Sequence, residues 1–260
     1  MPGTPTPDLV VRDEGPVRWI RFSRPERKNA LTRAMYQAAA DALAEAQQEG
    51  RIRAVVFTGE GGAFTSGNDL VDFAQDPPTS EDTPVFRFLL ALVRAEKPVL
   101  AAVEGPAVGI GTTMLLHCDL VAAGSSARFH LPFVRLGLCP EGASSLLLPR
   151  QAGFARASKW LLLGEPFGAA EAAEAGIVTE VTEDGGAEAA ARRMAEAVAE
   201  LAPSAVRETK ALLRAPMRER IEEVLRAEGA RFLARLRSPE AKEAFAAFFA
   251  RRKPDFSKFT

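Results

Sequence analysis

The stretch PVLAAVEGPAVGIGTTMLLH, residues 98–117, carries the strongest structural signal of the chain. Its first six residues are apolar and partly β-branched, which predicts a buried strand over 98–103. Glycines and a proline then break the pattern, and a short apolar helix is predicted from about Gly109 to His117. A strand that leads through a glycine-rich loop into a helix is typical of α/β folds. Such a junction leaves backbone N–H groups open to a ligand.

Strands and helices alternate on both sides of this stretch. The further predicted strands cover residues 9–11, 17–22, 52–58, 119–123, 127–131 and 177–181. The further predicted helices cover residues 31–48, 217–236 and 240–251, and the chain is mainly helical from Ala143 onwards. The first two strands form a hairpin, and a glycine-rich loop, residues 59–67, follows the strand at 52–58. The pattern predicts an α/β core with a helical annex of about sixty residues at its end.

Composition excludes several classes of protein. The 260 residues are 47% hydrophobic and 26% charged, which is typical of a globular chain of one or two domains. The net charge of −1 argues against a general nucleic-acid-binding surface. Two cysteines and two histidines exclude a disulfide scaffold and a three-histidine metal site. Since no apolar stretch is long enough for a membrane span, we expect a cytoplasmic protein with no metal and no membrane partner.

Two segments leave alternatives open. The last two predicted helices carry seven large apolar residues, namely Ile221, Leu225, Phe232, Leu236, Phe245, Phe248 and Phe249. These side chains either pack on their own core or cover a neighbouring subunit. The second segment is a polar loop with Asp76, Pro77, Pro78, Glu81 and Asp82, ending near Pro84. Its composition predicts a mobile loop and a candidate lid.

Two glycine-containing junctions are candidates for ligand binding. The run GPAVGIG at 105–111 is compatible with a phosphate loop, but it lies a hundred residues from the start of the chain. Tyr36 is followed four residues later by Ala40, so a Tyr-x-x-x-Lys pair is also absent. The run SGNDL at 66–70 either caps the next helix through Asn68 or Asp69 or brings a ligand close to the main chain. Together the two junctions offer the two N–H donors that a thioester enolate requires.

Glu141 is the candidate proton acceptor. It lies in the apolar, proline-framed segment LGLCPEGASSL, residues 136–146. Poor solvation raises the pKa of a carboxyl group and makes it a stronger base. The competing interpretation is that Glu141 caps a helix that begins near Gly142. His117 and His130 are expected to be core residues.

The chain resembles the crotonase (enoyl-CoA hydratase/isomerase) superfamily over nearly its whole length. The matching stretches are RPERKNAL at 24–31, GAFTSGNDL at 62–70, residues 98–124 with Cys118-Asp119, and RRKP at 251–254. The resemblance implies an α/β fold made of a spiral of ββα units, with the acyl-CoA site in residues 1–200. It also implies a helical oligomerisation region over 201–260, a homo-trimer or hexamer, and a CoA thioester substrate without a separate cofactor.

The resemblance also implies the roles of individual residues. The main-chain N–H groups of Asn68 and Ile110 would form the oxyanion hole. Basic residues such as Arg24, Arg27 and Lys28 would approach the CoA phosphates, and the backbone of 68–71 would meet the CoA chain. The residues expected to contact substrate are Arg27, Lys28, Ser66, Gly67, Asn68, Asp69, Leu70, Val71, Gly109 and Phe133.

The chain departs from the hydratase pattern at two positions. Where hydratases of the superfamily carry glutamates, this chain has Thr113 and Phe133. The remaining acid, Glu141, matches the single glutamate of the peroxisomal-type Δ3,Δ2-enoyl-CoA isomerases, so the resemblance implies isomerase activity. Three alternatives stay open: another enzyme activity of the superfamily, such as a hydratase with relocated acids; a non-catalytic acyl-CoA-binding protein; and a structural oligomer without a ligand, which would have no reason to keep two open N–H junctions.

Overall fold

The computed structural model describes residues 6–75 and 82–259. The strands of this part are β1 (Leu9–Glu14), β2 (Val17–Phe22), β3 (Ala54–Gly59), β4 (Val99–Val103), β5 (Pro106–Val108), β6 (Leu120–Gly124), β7 (Arg128–His130), β8 (Phe167–Gly168) and β9 (Glu180–Thr182). The α-helices are α1 (Arg33–Gln48), α2 (Leu70–Gln75), α3 (Pro84–Arg94), α4 (Ile110–Thr113), α5 (Ser144–Ala152), α6 (Phe154–Leu163), α7 (Ala169–Glu174), α8 (Ala187–Ala199), α9 (Pro203–Arg214), α10 (Arg218–Leu236) and α11 (Pro239–Phe249).

A six-stranded sheet with the order β1-β2-β3-β4-β6-β9 forms the larger layer. β1 and β2 pair antiparallel, and every other neighbouring pair in this sheet is parallel. All five residues of β4 are buried because helices cover both faces of the sheet. The buried alanines of α8 pack on one face, and α1 and α3 belong to the core on the other face. Small side chains on α8 let this helix lie close to the strands.

A second, smaller sheet carries the candidate site. It has the order β5-β7-β8, and single parallel bridges extend it from Ala107 to Thr65 and from Asn68 to Leu31. β4 and β6 belong to the large sheet, whereas β5 and β7, which follow them in the chain, belong to the small one. This repetition is the spiral of ββα units that the family resemblance implied.

The C-terminal helices pack back onto the core. α10 packs against α3 and α5, and α11 packs against a 3-10 turn at Val134–Leu136. Phe232 is buried and Phe245 packs on the core, whereas Phe248 and Phe249 stay half-exposed. The prediction of packing on the chain's own core is therefore confirmed for the first two aromatics. No helix of the described ranges is long and apolar enough to span a bilayer.

Three details of the sequence prediction are wrong. The helix expected over 109–117 is α-helical only at Ile110–Thr113 and continues as a 3-10 helix, while the expected break before it contains β5. The last strand begins at Glu180 instead of 177, because the N–H groups of Ile177 and Val178 close the end of α7 on the carbonyl of Ala172. α3 was not predicted, since Pro84 is its first residue rather than part of a loop. Residues 76–81 of the predicted lid lie outside the described residues.

Candidate active site

Two adjacent backbone segments carry the N–H groups that the sequence predicted for the oxyanion hole. Thr65 pairs in parallel with Ala107, and Asn68 and Ile110 each lie three residues further along these two segments. Leu31 exchanges hydrogen bonds with the residues on either side of Asn68, so the N–H of Asn68 points away from Leu31. Within the described part of the chain, no acceptor bonds the N–H of Asn68 or of Ile110. Both groups are therefore available as donors, and their convergence on one oxygen atom stays a prediction.

Glycines make this approach of two segments possible. Gly67 has φ +89°, and a Cβ atom there would lie 2.8 Å from the carbonyl oxygen of Val108. Gly109, with φ +56°, adopts a conformation that side chains rarely allow, directly before the N–H of Ile110. A Cβ at Gly111 would lie 2.5 Å from the Cγ2 atom of Thr65. The spacing of the two N–H groups thus depends on residues without side chains.

The side chains around Asn68 hold the loop in place. The hydroxyl of Tyr36, which is buried, donates to Oδ1 of Asn68 at 2.5 Å. Oδ1 of Asp69 accepts from the N–H of Val71 at 3.0 Å, and Arg24 donates to Oδ2 at 3.1 Å. The helix-cap interpretation of this segment is therefore confirmed for Asp69, while Asn68 presents its backbone to the cleft. Arg24, expected near the CoA phosphates, is engaged by Asp69.

Glu141 is partly buried, and it lines a second pocket, named the chamber below. Its Oε1 accepts a hydrogen bond from the hydroxyl of Thr113 at 2.5 Å. Burial raises the pKa of Glu141 to about 8, the Thr113 hydrogen bond opposes this rise, and the charge of Glu228 adds to it. The interpretation of the Glu141 side chain as a helix cap is wrong, because another residue caps the following helix.

That residue is Glu228 of α10, which the sequence analysis missed. Its carboxylate accepts from the N–H of Ala143 at 2.6 Å and from the N–H of Ser145 at 2.9 Å, at the start of α5. A sequence signal existed, because Glu228 lies at helical spacing on the same buried face as Ile221, Leu225 and Phe232. An acidic residue on such a face indicates a buried polar partner.

His117 forms a hydrogen bond with the same loop. Its Nε2 lies 2.8 Å from the carbonyl oxygen of Gly142, and burial lowers the pKa of His117 to about 4. The ring is therefore neutral and donates to that carbonyl. Gly142 has φ +70°, and a Cβ atom there would lie 2.8 Å from Cβ of Thr113. The expectation of a core histidine at 117 is confirmed.

An outer cleft and an inner chamber meet at Asn68. The cavity volume is about 530 Å³ for the outer cleft and about 70 Å³ for the chamber. Asn68, Phe73 and Phe232 line both cavities. The ring of Phe232 packs edge-on against Phe73 and Phe133 and separates the two spaces. Since Glu141 lines the chamber, an oxygen bound at Asn68 and Ile110 would lie between the cleft and the chamber that holds this carboxyl.

Most residues predicted to contact substrate line the outer cleft. They are Arg27, Ser66, Gly67, Asn68, Asp69, Leu70, Val71, Gly109 and Phe133, and Ile110 of the predicted oxyanion hole lines the cleft as well. Lys28 is not among the lining residues; its carbonyl accepts from the N–H of Ser66 and its backbone has φ +49°. Contact with substrate stays a prediction for all of these residues.

Comparison with known proteins gives matches over nearly the whole chain. The enoyl-CoA hydratase/isomerase family profile matches residues 12–258. Enoyl-CoA delta isomerase 2 of Rattus norvegicus is 36% identical over 250 residues, which are 94% of this chain and 64% of that protein. This chain thus spans just under two thirds of that relative's length. The 2,3-dehydroadipyl-CoA hydratase of Escherichia coli is 32% identical, with 96% and 98% covered. The structure of OdaA from Pseudomonas aeruginosa superposes with a TM-score of 0.92 at 50% identity, covering 94% of this chain and 99% of OdaA. This chain belongs to the enoyl-CoA hydratase/isomerase family and has the crotonase fold.

Proposed function

We propose that the protein is a Δ3,Δ2-enoyl-CoA isomerase that uses Glu141 as its base. One observation carries the proposal. Of the described residues that line the cleft and the chamber, two are acidic, Asp69 and Glu141. Asp69 is engaged by Arg24 and by the N–H groups of α2, whereas Glu141 faces the chamber with one hydroxyl partner. Glu141 is therefore the acid available for proton transfer.

The reaction needs one base and no co-reactant. The carboxylate of Glu141 removes a proton from C2 of a 3-enoyl thioester, and the electron pair moves into a dienolate. The N–H groups of Asn68 and Ile110 donate to the enolate oxygen, and loss of one such donor raises a barrier by on the order of 3 kcal/mol. The protonated Glu141 then returns the proton to C4, which gives the 2-trans-enoyl thioester and regenerates the carboxylate.

The same contacts disfavour hydration. Water addition uses one group to activate water and another to deliver a proton. The two positions where hydratases carry glutamates hold Thr113 and Phe133, and Thr113 instead donates to Glu141. A second carboxylate is nearby, but backbone N–H groups bond both oxygens of Glu228. Glu228 is thus held away from proton transfer.

Named relatives support both classes of reaction, isomerisation in Rattus norvegicus and hydration in Escherichia coli. The test therefore offers the pure protein 3-enoyl-CoA and 2-enoyl-CoA separately and identifies the products by mass and absorbance. We expect 3-enoyl-CoA to become 2-trans-enoyl-CoA without a change in mass. Addition of water to 2-enoyl-CoA as the faster reaction would reject the isomerase in favour of the hydratase.

Glu141→Gln tests the role of the base. The variant keeps the size of the side chain but cannot accept the proton, so kcat should fall on the order of 10²- to 10⁴-fold. Thioester binding, measured by calorimetry, should persist. The matched control is Glu196→Gln, an exposed residue of α8 on the far side of the large sheet, which should turn over normally. Normal turnover by Glu141→Gln would refute the assignment.

We also propose that residues 201–260 contribute to a trimer or hexamer around a spiral core of residues 1–200. Large apolar side chains on α6 and α9 are exposed, with Leu162 at 70%, Leu212 at 73% and Leu213 at 76%. Contact with another copy would remove this surface from water. Light scattering should give a mass three or six times that of one chain, and a monomer would reject the proposal.

A further inference from the structure

The helix that follows Glu141 has a cap supplied by a distant part of the chain. α5 begins at Ser144, and Ala143 at its N-cap position has no side-chain oxygen and a left-handed φ of +56°. Glu228, which is 7% exposed, reaches in from α10 and bonds the N–H groups of Ala143 and Ser145. A carboxylate at this place replaces an N-cap side chain and offsets the cost of the strained turn.

Three other hydrogen bonds hold the loop 141–145, two from outside the loop and one within it. Thr113 donates to the carboxyl of Glu141, and His117 donates to the carbonyl of Gly142. The carbonyl of Glu141 accepts from the hydroxyl of Ser144 at 2.6 Å. Each contact restrains a different atom of the loop. The contact from Glu228 differs from the others because it brings a negative charge close to the candidate base.

We infer that Glu228 is a positioning residue for Glu141: it clamps the loop 141–145 so that Glu141 faces the chamber, and its charge disfavours a second negative charge there. This inference rests on the proposed function of Glu141 as the base. Glu228 does not line the chamber, although two other residues of α10, Leu225 and Gly229, line it. It therefore acts through Glu141 and not on the substrate.

The order in which the two acids ionise follows from their partners. Burial raises the pKa of Glu228, but hydrogen bonds from the Ser145 side chain and from the N–H groups of Ser145 and Ala143 favour its charged form and oppose that rise. Burial raises the pKa of Glu141 to about 8, and only one hydrogen bond, from the hydroxyl of Thr113, opposes this rise. As the pH rises, Glu228 thus loses its proton before Glu141 does. Its negative charge then raises the pH at which Glu141 ionises. Other titratable groups near this pair are Tyr36 on α1, whose pKa is raised by burial and by Glu141, Cys139, whose pKa is raised by burial and by Glu228, and the neutral His117.

Glu228→Gln tests the inference because it removes the charge and keeps the size of the side chain. The first readout is the pH profile of kcat/KM with 3-enoyl-CoA, whose midpoint should fall by about one pH unit. The plateau value of kcat should fall about tenfold, because the amide retains one acceptor oxygen for two N–H donors. Hydrogen exchange at Ala143 and Ser145 should become faster.

Two further variants separate charge, geometry and stability. Glu228→Asp keeps the charge but shortens the side chain, so the midpoint should stay near that of the wild type while kcat falls. This variant also tests the inference if Glu228→Gln does not fold. The matched control is Glu222→Gln on the same helix, whose carboxylate pairs with Arg94 at 2.7 Å and does not touch the loop. Its midpoint and kcat should match the wild type.

An infrared titration of Glu141 gives a readout without turnover. The signal of the protonated carboxyl is isolated by subtracting the spectrum of the same protein with Glu141→Gln. A midpoint lowered by Glu228→Gln supports the inference, and an unchanged midpoint together with an unchanged kcat overturns it. If the wild type fails to isomerise 3-enoyl-CoA, the proposed function fails, and the infrared midpoint by itself then decides the inference.

Discussion

Removal of the Thr113 hydroxyl should shift the titration of Glu141 upward. Thr113→Val keeps the shape of a fully buried side chain but deletes the donor that bonds Oε1 of Glu141 at 2.5 Å. Hydrogen bonds to charged groups contribute about 1.5–3 kcal/mol. Loss of this donor therefore raises the pKa of Glu141 from about 8 by roughly one to two pH units.

The effect on the rate follows from the ionised fraction of the base. At pH 8 about half of Glu141 is ionised in the wild type, and the shift leaves roughly 1–9% ionised in the variant. Since the carboxylate is the form that accepts the proton, kcat/KM at pH 8 should fall roughly 5- to 50-fold. The loss should shrink as the pH rises, because ionisation of Glu141 recovers.

The assay is the pH profile of kcat/KM for isomerisation of 3-enoyl-CoA between about pH 6 and 10. Thr113→Ser is the matched control, since it keeps the hydroxyl, and its midpoint should stay with the wild type. The double variant with Glu228→Gln should have an intermediate midpoint, because the two changes act in opposite directions. A midpoint for Thr113→Val at or below that of the wild type would refute the reasoning.

Two further predictions concern stability and substrate size. The pKa of Glu141 is about 8 in the folded chain, against an ordinary value of 4.5 in the unfolded chain. Between pH 4.5 and pH 8 the folded chain therefore holds a proton that the unfolded chain has lost. The free energy of unfolding consequently falls as the pH rises through this range. Urea unfolding should therefore show Glu141→Gln to be more stable than the wild type by about 3–5 kcal/mol at pH 9, with the difference vanishing near pH 4; no gain at pH 9 would contradict the burial argument. Gly229→Leu adds side-chain carbons to the chamber near Phe86. For substrates with long acyl chains, kcat/KM should therefore drop roughly fourfold per excluded methylene, and for short chains it should change little. An equal effect on long and short chains would show that acyl chains do not enter the chamber.

Local sequence pattern determined the elements whose signal lies within a few consecutive residues. The apolar run before Glu104 predicted β4, and the glycines at 67 and 109 predicted the two junctions that expose N–H groups. These features are readable because strand periodicity and the need for positive φ are properties of short segments. The proline-framed segment around Glu141 likewise predicted a poorly solvated carboxyl, and the structure buries this residue in part.

Tertiary structure alone decided what surrounds that carboxyl. Glu228 is 85 residues away from Ala143 in the chain, and Thr113 is 28 residues away from Glu141. No local pattern encodes such contacts, because they depend on how α10 packs against α5 and on how α4 meets the loop. The pKa of Glu141 and the cap of α5 are consequences of that packing, since desolvation and hydrogen bonding act through space and not along the chain.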